Sequence, residues 1–157
     1  MLAQRVLIRS ASALVCTGFV HHSLCNHRPE LRQPARQLQS LLKKGEILVL
    51  PCCGDALTAK LVERAGFHAT FMSGFSVSAT HRMPDTQLLS YKEMVDAAAS
   101  IASALKNIPC IGDGDTGYGN AVNVKRTIHG YGQAGMACVM IEDQVQPKVV
   151  SVNALFL

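Results

Sequence analysis

Two carboxylates one residue apart, Asp113 and Asp115, follow a short apolar run, Ile108-Pro109-Cys110-Ile111-Gly112. They open a glycine-rich turn, Thr116-Gly117-Tyr118-Gly119-Asn120. Carboxylates at the C-terminal end of a parallel strand stand where α/β folds place ligands and metal ions. Two hard oxygen donors on a tight turn suit Mg²⁺. The pattern recurs after the next helical stretch, where Ala137-Cys138-Val139-Met140-Ile141 runs into Glu142-Asp143. Asp113 and Glu142 each directly follow an apolar strand, so both are expected to point into one face. Asp115 also suits turn capping, and Asp85 after Pro84 also suits turn formation, a common role of Asp. Asp143 suits a solvated loop.

The elements that must carry these acids alternate along the chain. Leu38, Leu41 and Leu42 predict a short amphipathic helix over Arg32–Lys44, stopped by Gly45. Ile47-Leu48-Val49-Leu50 predicts a buried strand ended by Pro51. Asp55 caps a helix over Ala56–Ala65, and Gly66 stops it. Ala69–Met72 predicts a second strand, ending at Ser73-Gly74. Residues 74–89 read as a long loop. Ser90-x-x-Glu93 is a capping box for a helix to about Lys106. The third strand ends at Asp113, Asn120 caps a helix to about Gln133, and Ala137–Ile141 is the fourth strand. Such β-α-β-α alternation implies a parallel sheet with helices outside it. An open doubly wound sheet and a barrel both fit this spacing.

Composition narrows the function classes. The 157 residues carry a formal charge of +4 and 48% hydrophobic residues, which suits one modest domain. Nucleic acid is not an expected partner, because no basic stripe with interleaved aromatics occurs and tryptophan is absent. No apolar run reaches the roughly 18 residues that span a bilayer, so no membrane span is expected. The first acid is Glu30, and Arg5, Arg9 and Arg28 stand among serines and apolar residues before it. An acid-free, Arg- and Ser-bearing start of this kind reads as an organelle transit peptide over residues 1–30, for chloroplast or mitochondrion. A secretory signal over Ala11–Val20 and a simple tail are the rival readings. The six cysteines show no Cys-x-x-Cys and no zinc spacing. Cys110 and Cys138 read as buried core thiols, and Cys52-Cys53 as loop-facing structural thiols. Tyr118 is placed beside the carboxylates to line the site, while Gly117 and Gly119 serve backbone geometry.

Taken together, Pro51-x-x-x-Asp55-Ala56-Leu57-Thr58-Ala59, Ser73-Gly74, Pro84-Asp85, Asp113-Gly-Asp115-Thr116-Gly117-Tyr118-Gly119-Asn120, Asn123-Val124-x-Arg126-Thr127 and Ile141-Glu142-Asp143-Gln144-x-x-x-Lys148 form an ordered set over about residues 38–148. In this the chain resembles the isocitrate lyase / phosphoenolpyruvate mutase superfamily, with its carboxyphosphonoenolpyruvate phosphonomutase-like and 2-methylisocitrate lyase-like members. The resemblance implies the N-terminal half of a (β/α)₈ TIM barrel, about four βα units. It implies a Mg²⁺-dependent enzyme (Mn²⁺ as substitute) that makes or breaks a C–C or P–C bond beside an enolate of a small α-oxycarboxylate. By motif, Asp113 resembles the direct metal ligand, and Asp85, Asp115 and Glu142 the ligands that act mostly through bound waters. Ser73, Gly74 and Phe75, with Asp113, resemble the substrate-binding set, and Lys148 is the catalytic candidate. Backbone N–H groups beside Ser73 and Gly74 would suit developing negative charge.

The departures matter as well. The lyase branch continues after the fourth strand as Lys-Lys/Arg-Cys-Gly-His, whose cysteine serves as acid/base. Here Val149-Val150-Ser151-Val152 follows Lys148. The expectation is a truncated product, inactive alone, with the apolar edges of its first and fourth strands exposed. The alternative is a non-catalytic chain that associates with a full-length homologue. Asp113-x-Asp115-Thr116 also resembles the nucleophile motif of haloacid-dehalogenase-type phosphatases, although that motif usually follows a first strand.

Overall fold

A computed structural model describes residues 33–144, together with the backbone of two short strands before them. Those strands are β1 (Arg5–Ile8) and β2 (Leu14–Val15). Lys148, the apolar tail at 149–157 and the rest of the expected presequence lie outside the described residues.

The order of elements after β2 is α1 (Gln33–Leu42), β3 (Leu48–Cys53), α2 (Ala56–Arg64), β4 (Thr70–Met72), α3 (Gly74–Thr80), α4 (Tyr91–Ala104), β5 (Cys110–Asp113), α5 (Ala121–Gln133) and β6 (Cys138–Met140). Strands β3, β4, β5 and β6 pair in parallel in that order. This is the expected α/β arrangement of four parallel strands with helices. The helix boundaries follow local chemistry. Asp55, Ser90 and Asn120 each form a capping box with the third helical residue beyond them. Gly45, Gly66 and Gly135 take positive φ just past helix ends, where side chains are strained.

The sheet has two buried faces. Toward the helices lie Cys53, Met72, Cys110 and Val139, packed with Ala59, Val77, Met94, Ala98, Ile101, Tyr131 and Met136. On the opposite face Leu48, Leu50, Phe71, Ile111 and Cys138 form a second cluster, closed by Leu38 of α1. Alternation along each strand separates the two sets.

Four expectations change here. Pro51 does not end the first parallel strand. It lacks an N–H, so the pairing with β4 begins beyond it, at Cys52↔Phe71 and Cys53↔Met72. Its carbonyl accepts from the Thr70 hydroxyl at 2.8 Å. Consequently Cys52 and Cys53 are strand residues rather than loop thiols, and Cys53 is buried. The long loop over 74–89 contains a helix, α3, whose buried residues Gly74, Val77 and Ser78 follow a helical period. Finally, the edges of the parallel sheet are paired. The backbone of β1 runs antiparallel to β3 (Arg5↔Pro51 to Ile8↔Leu48), and that of β2 runs antiparallel to β6. An unpaired edge strand is a template for any extended segment within reach. Among the described residues, no helix is long and apolar enough to cross a membrane.

Candidate functional site

The site is built on Asp113, the last residue of β5, which is buried. Both of its carboxylate oxygens are held by backbone donors. Gly74 N–H donates to Oδ2 at 2.9 Å, and Asp115 N–H donates to Oδ1 at 3.1 Å. The Tyr131 hydroxyl donates to the Asp113 carbonyl at 2.7 Å. Burial, and then the nearby Asp115 charge, push the Asp113 carboxyl up to about 6, against the pull of the two N–H bonds. Glu142 adds to the upward shift. A buried carboxyl displaced in this way, at a strand end, marks a candidate functional position.

Asp115 follows in a turn that few side chains enter. Its φ is 46°, in the left-handed region, and Tyr118 has φ 61°. The turn is fixed at several points. Gly117 N–H donates to the Gly114 carbonyl at 2.9 Å, and the Thr127 hydroxyl of α5 donates to the Gly117 carbonyl at 2.9 Å. Asp115 is buried, and its Oδ2 accepts from the Tyr118 hydroxyl at 3.0 Å. Gly117 at φ +90° and Gly119 at φ +140° supply the geometry expected of glycine there.

Glu142 comes to the same place from β6. Its N–H donates to the Asp115 carbonyl at 2.7 Å, and Gly114 N–H donates to the Met140 carbonyl at 2.9 Å. The residues after β5 and β6 are thus stitched together, with Glu142 half-buried and Asp143 exposed. Asp85 is half-buried in the turn between α3 and α4. That turn reaches the carboxylate loop through Gln87, whose amide donates to the Thr116 hydroxyl at 3.4 Å.

The segment Ser73-Gly74-Phe75 follows β4, the strand beside β5, and meets Asp113 there. A Cβ on Gly74 would stand 3.0 Å from Asp113 Oδ2 and 3.8 Å from Asp115 Oδ1. A residue without a side chain therefore leaves a cradle in front of both carboxylates. The backbone donors here are already engaged: Gly74 N–H by Asp113 Oδ2, and Ser73 N–H by the Cys53 carbonyl at 3.2 Å. The first fixes the acid and the second ties β4 to β3, so neither stands open to an oxyanion. Ser73 is buried, whereas the Phe75 side chain is largely exposed.

The structure thus brings Asp113, Asp115, Glu142 and Gly74 together, with Asp85 on an adjoining turn. Among the described residues, no three His, Cys, Asp or Glu side chains converge closely enough to hold an ion by direct contact. The donor set itself suits a hard cation, because it consists of carboxylate oxygens around a vacant Cβ position. Mg²⁺ keeps several waters and needs only one or two direct carboxylates.

Sequence reasoning missed Tyr131. Its ring lies so close to the strand that a Cβ on Gly112 would stand 2.6 Å from it. A glycine inside a strand often marks such an approach, and Gly112 carried that signal.

Residues 38–155 match the family described as phosphoenolpyruvate phosphomutase. The chain is 46% identical over 115 residues to a 2,3-dimethylmalate lyase from Eubacterium barkeri, covering 73% of this chain and 39% of that protein. It is 41% identical over 123 residues to the chloroplastic carboxyvinyl-carboxyphosphonate phosphorylmutase of Arabidopsis thaliana, covering 75% of this chain and 36% of that protein. Among solved structures, it superposes on a phosphoenolpyruvate phosphomutase from Streptomyces platensis subsp. rosaceus with TM-score 0.66 and 40% identity, covering 75% of this chain and 41% of that one. A phosphonopyruvate hydrolase complexed with oxalate and Mg²⁺ gives TM-score 0.67 and 37% identity, covering 74% of this chain and 41% of that one. The chain spans about two fifths of the length of these relatives. A four-stranded parallel sheet, acids at its strand ends and a family match from residue 38 to residue 155 lead to one conclusion: the chain belongs to the phosphoenolpyruvate phosphomutase family, within the PEP mutase/isocitrate lyase superfamily.

Proposed function

We propose that this chain carries the metal- and carboxylate-binding half of a lyase or mutase acting on a small α-oxycarboxylate. The substrate would be of the 2-methylisocitrate, oxaloacetate or carboxyphosphonoenolpyruvate type. The single observation behind this reading is the convergence of Asp113 and Asp115 on the cradle at Gly74, with Glu142 drawn in from the next strand.

In this reading Asp113 would hold Mg²⁺ (or Mn²⁺) directly, and Asp85, Asp115 and Glu142 would hold its waters. The bound cation would supply Lewis-acid stabilisation of the charge that develops on an enolate oxygen. The chain's own contribution is positional. Gly74 N–H and Asp115 N–H keep both Asp113 oxygens in place before any ligand arrives. Ser73, Gly74 and Phe75 would line the substrate carboxylate. Lys148 is the catalytic candidate from the segment that follows.

The test is calorimetric titration of the full chain with oxalate, with and without Mg²⁺. Oxalate is the ligand held with Mg²⁺ in the related phosphonopyruvate hydrolase complex. The expected result is oxalate binding only when Mg²⁺ is present, lost in Asp113→Asn. Oxalate binding that ignores Mg²⁺, or no binding in either condition, would overturn the reading.

A second reading rests on the residues after Lys148. Val149-Val150-Ser151 stand where the lyase branch has the cysteine of its acid/base loop. A chain that binds the metal and substrate carboxylate without supplying this group would serve as a non-catalytic partner of a full-length homologue. Mixing the two and following turnover of oxaloacetate and 2-methylisocitrate separates the readings: turnover by this chain alone supports the first, altered turnover of the homologue the second. The phosphatase reading is the weaker one, because residues 38–155 match the phosphoenolpyruvate phosphomutase family.

A further inference from the structure

Two phenols stand behind the acidic pair, and each has one proton to give. The Tyr131 hydroxyl donates to the Asp113 carbonyl at 2.7 Å. The Tyr118 hydroxyl donates to Asp115 Oδ2 at 3.0 Å. The two phenol oxygens approach to 3.5 Å, but both protons have better acceptors. The Tyr118 bond runs from the phenol to the carboxylate oxygen.

The rest of the surroundings hold the Tyr118 ring. Its backbone is in the left-handed region at φ 61°, a strained state that persists only where neighbours enforce it. The Tyr91 ring packs against it edge-on, with centroids 6.0 Å apart at 64°. Tyr91 is in turn covered by the Arg126 guanidinium, 4.5 Å from its ring centre. With Oδ2 of Asp115 turned back to this phenol, Oδ1 is the oxygen that faces the cradle, 3.8 Å from the position of the missing Gly74 Cβ.

We propose that Tyr118 is a positioning residue for a divalent cation of the Mg²⁺ type: it fixes the Asp115 carboxylate so that Oδ1 is presented to the site beside Asp113. This inference rests on the metal reading above. It assigns a role to a side chain that touches neither the cation nor the substrate. Partners of this kind typically change metal affinity about 10- to 100-fold.

The experiment is a Mn²⁺ titration of the full chain, with free Mn²⁺ read by electron paramagnetic resonance. It compares the wild type with Tyr118→Phe, Asp115→Asn, the double variant and Tyr91→Phe. Tyr118→Phe is expected to weaken Mn²⁺ binding about 10-fold or more, with a cooperative metal-free melt retained. Tyr91→Phe removes a phenol from the same aromatic stack and keeps its ring. It is expected to bind as the wild type does. The double variant is expected to bind no more weakly than Asp115→Asn alone, because the phenol acts only through that carboxylate. Wild-type affinity in Tyr118→Phe would overturn the proposal. So would losses that add in the double variant, an equal loss in Tyr91→Phe, or a Tyr118→Phe chain that no longer melts cooperatively. A wild type that binds no Mn²⁺ at all would remove the metal reading itself, a pattern distinct from each of these.

Discussion

Asp55 and Asp113 are both aspartates at the junction between a parallel strand and the segment leading into a helix, and they are used in opposite ways. Asp55 is exposed, and all its bonds are local: its Oδ1 accepts from Thr58 N–H at 2.7 Å and from the Thr58 hydroxyl at 2.8 Å. Asp113 is buried, and one of its two donors comes from Gly74, on another strand–helix unit. The first aspartate stabilises its own helix. The second imposes a charge on the core that its surroundings only partly compensate. The same residue type at the same kind of junction thus serves the fold in one place and a ligand in the other. Burial and the origin of the donors distinguish the two.

Disturbing the scaffold common to both junctions should have the largest effect. Leu50 is fully buried on the face of the sheet closed by Leu38. Leu50→Ala is expected to cost about 2–5 kcal/mol in urea unfolding, lowering the midpoint. The Asp113 charge acts on the metal-free protein through pH. The Asp113 carboxyl is raised to about 6 in the fold. Against an unfolded value of about 3.9, the folded chain holds this proton more tightly. Its charge therefore costs nothing below pH 4, costs more as pH rises from about 4 to 6, and costs a constant amount above that. In EDTA, the stability of the wild type relative to Asp113→Asn is expected to fall by on the order of 2 kcal/mol between pH 4 and pH 8. A gap that does not change with pH would erase the contrast with Asp55.

Smaller effects sharpen it. Asp55→Ala removes a capping box and should cost about 1 kcal/mol, with no change in Mg²⁺ or oxalate binding. The Lys92–Asp96 pair on α4 is exposed on both sides. Lys92→Ala should cost less than about 0.5 kcal/mol, and less still in high salt. Thermal melts at two salt concentrations check that last value.

Much of this was legible because the signals are local. Asp55, Ser90 and Asn120 mark three helix starts, and Gly45, Gly66 and Gly135 mark three ends, through chemistry confined to a turn. The apolar runs before Asp113 and Glu142 placed both acids at strand ends. Elements defined by partners far away in sequence were less legible. Helix α3 is built from Gly74-Phe75-Ser76-Val77-Ser78-Ala79-Thr80, a poor helix sequence by propensity, and it gains its place by burying Gly74, Val77 and Ser78. Pro51 looked like a strand stop because proline has no donor, but the Thr70 hydroxyl meets its carbonyl from the neighbouring strand. The Gly74–Asp113 and Tyr131–Asp113 bonds join residues that only the folded sheet brings near one another.

Pro51 also has a consequence for motion. It divides β3 into two segments with different neighbours. Leu48–Pro51 pair with β1, while only Cys52 and Cys53 are in register with β4. The β4–β5 and β5–β6 seams each hold three paired positions. The seam beside Pro51 should therefore be the first of the three to open in local fluctuations, and its amides should exchange with solvent deuterium ahead of those on β5. The carboxylates stand on the far side of β4 from that seam, so breathing at the first strand can proceed while the acid-bearing strands remain closed.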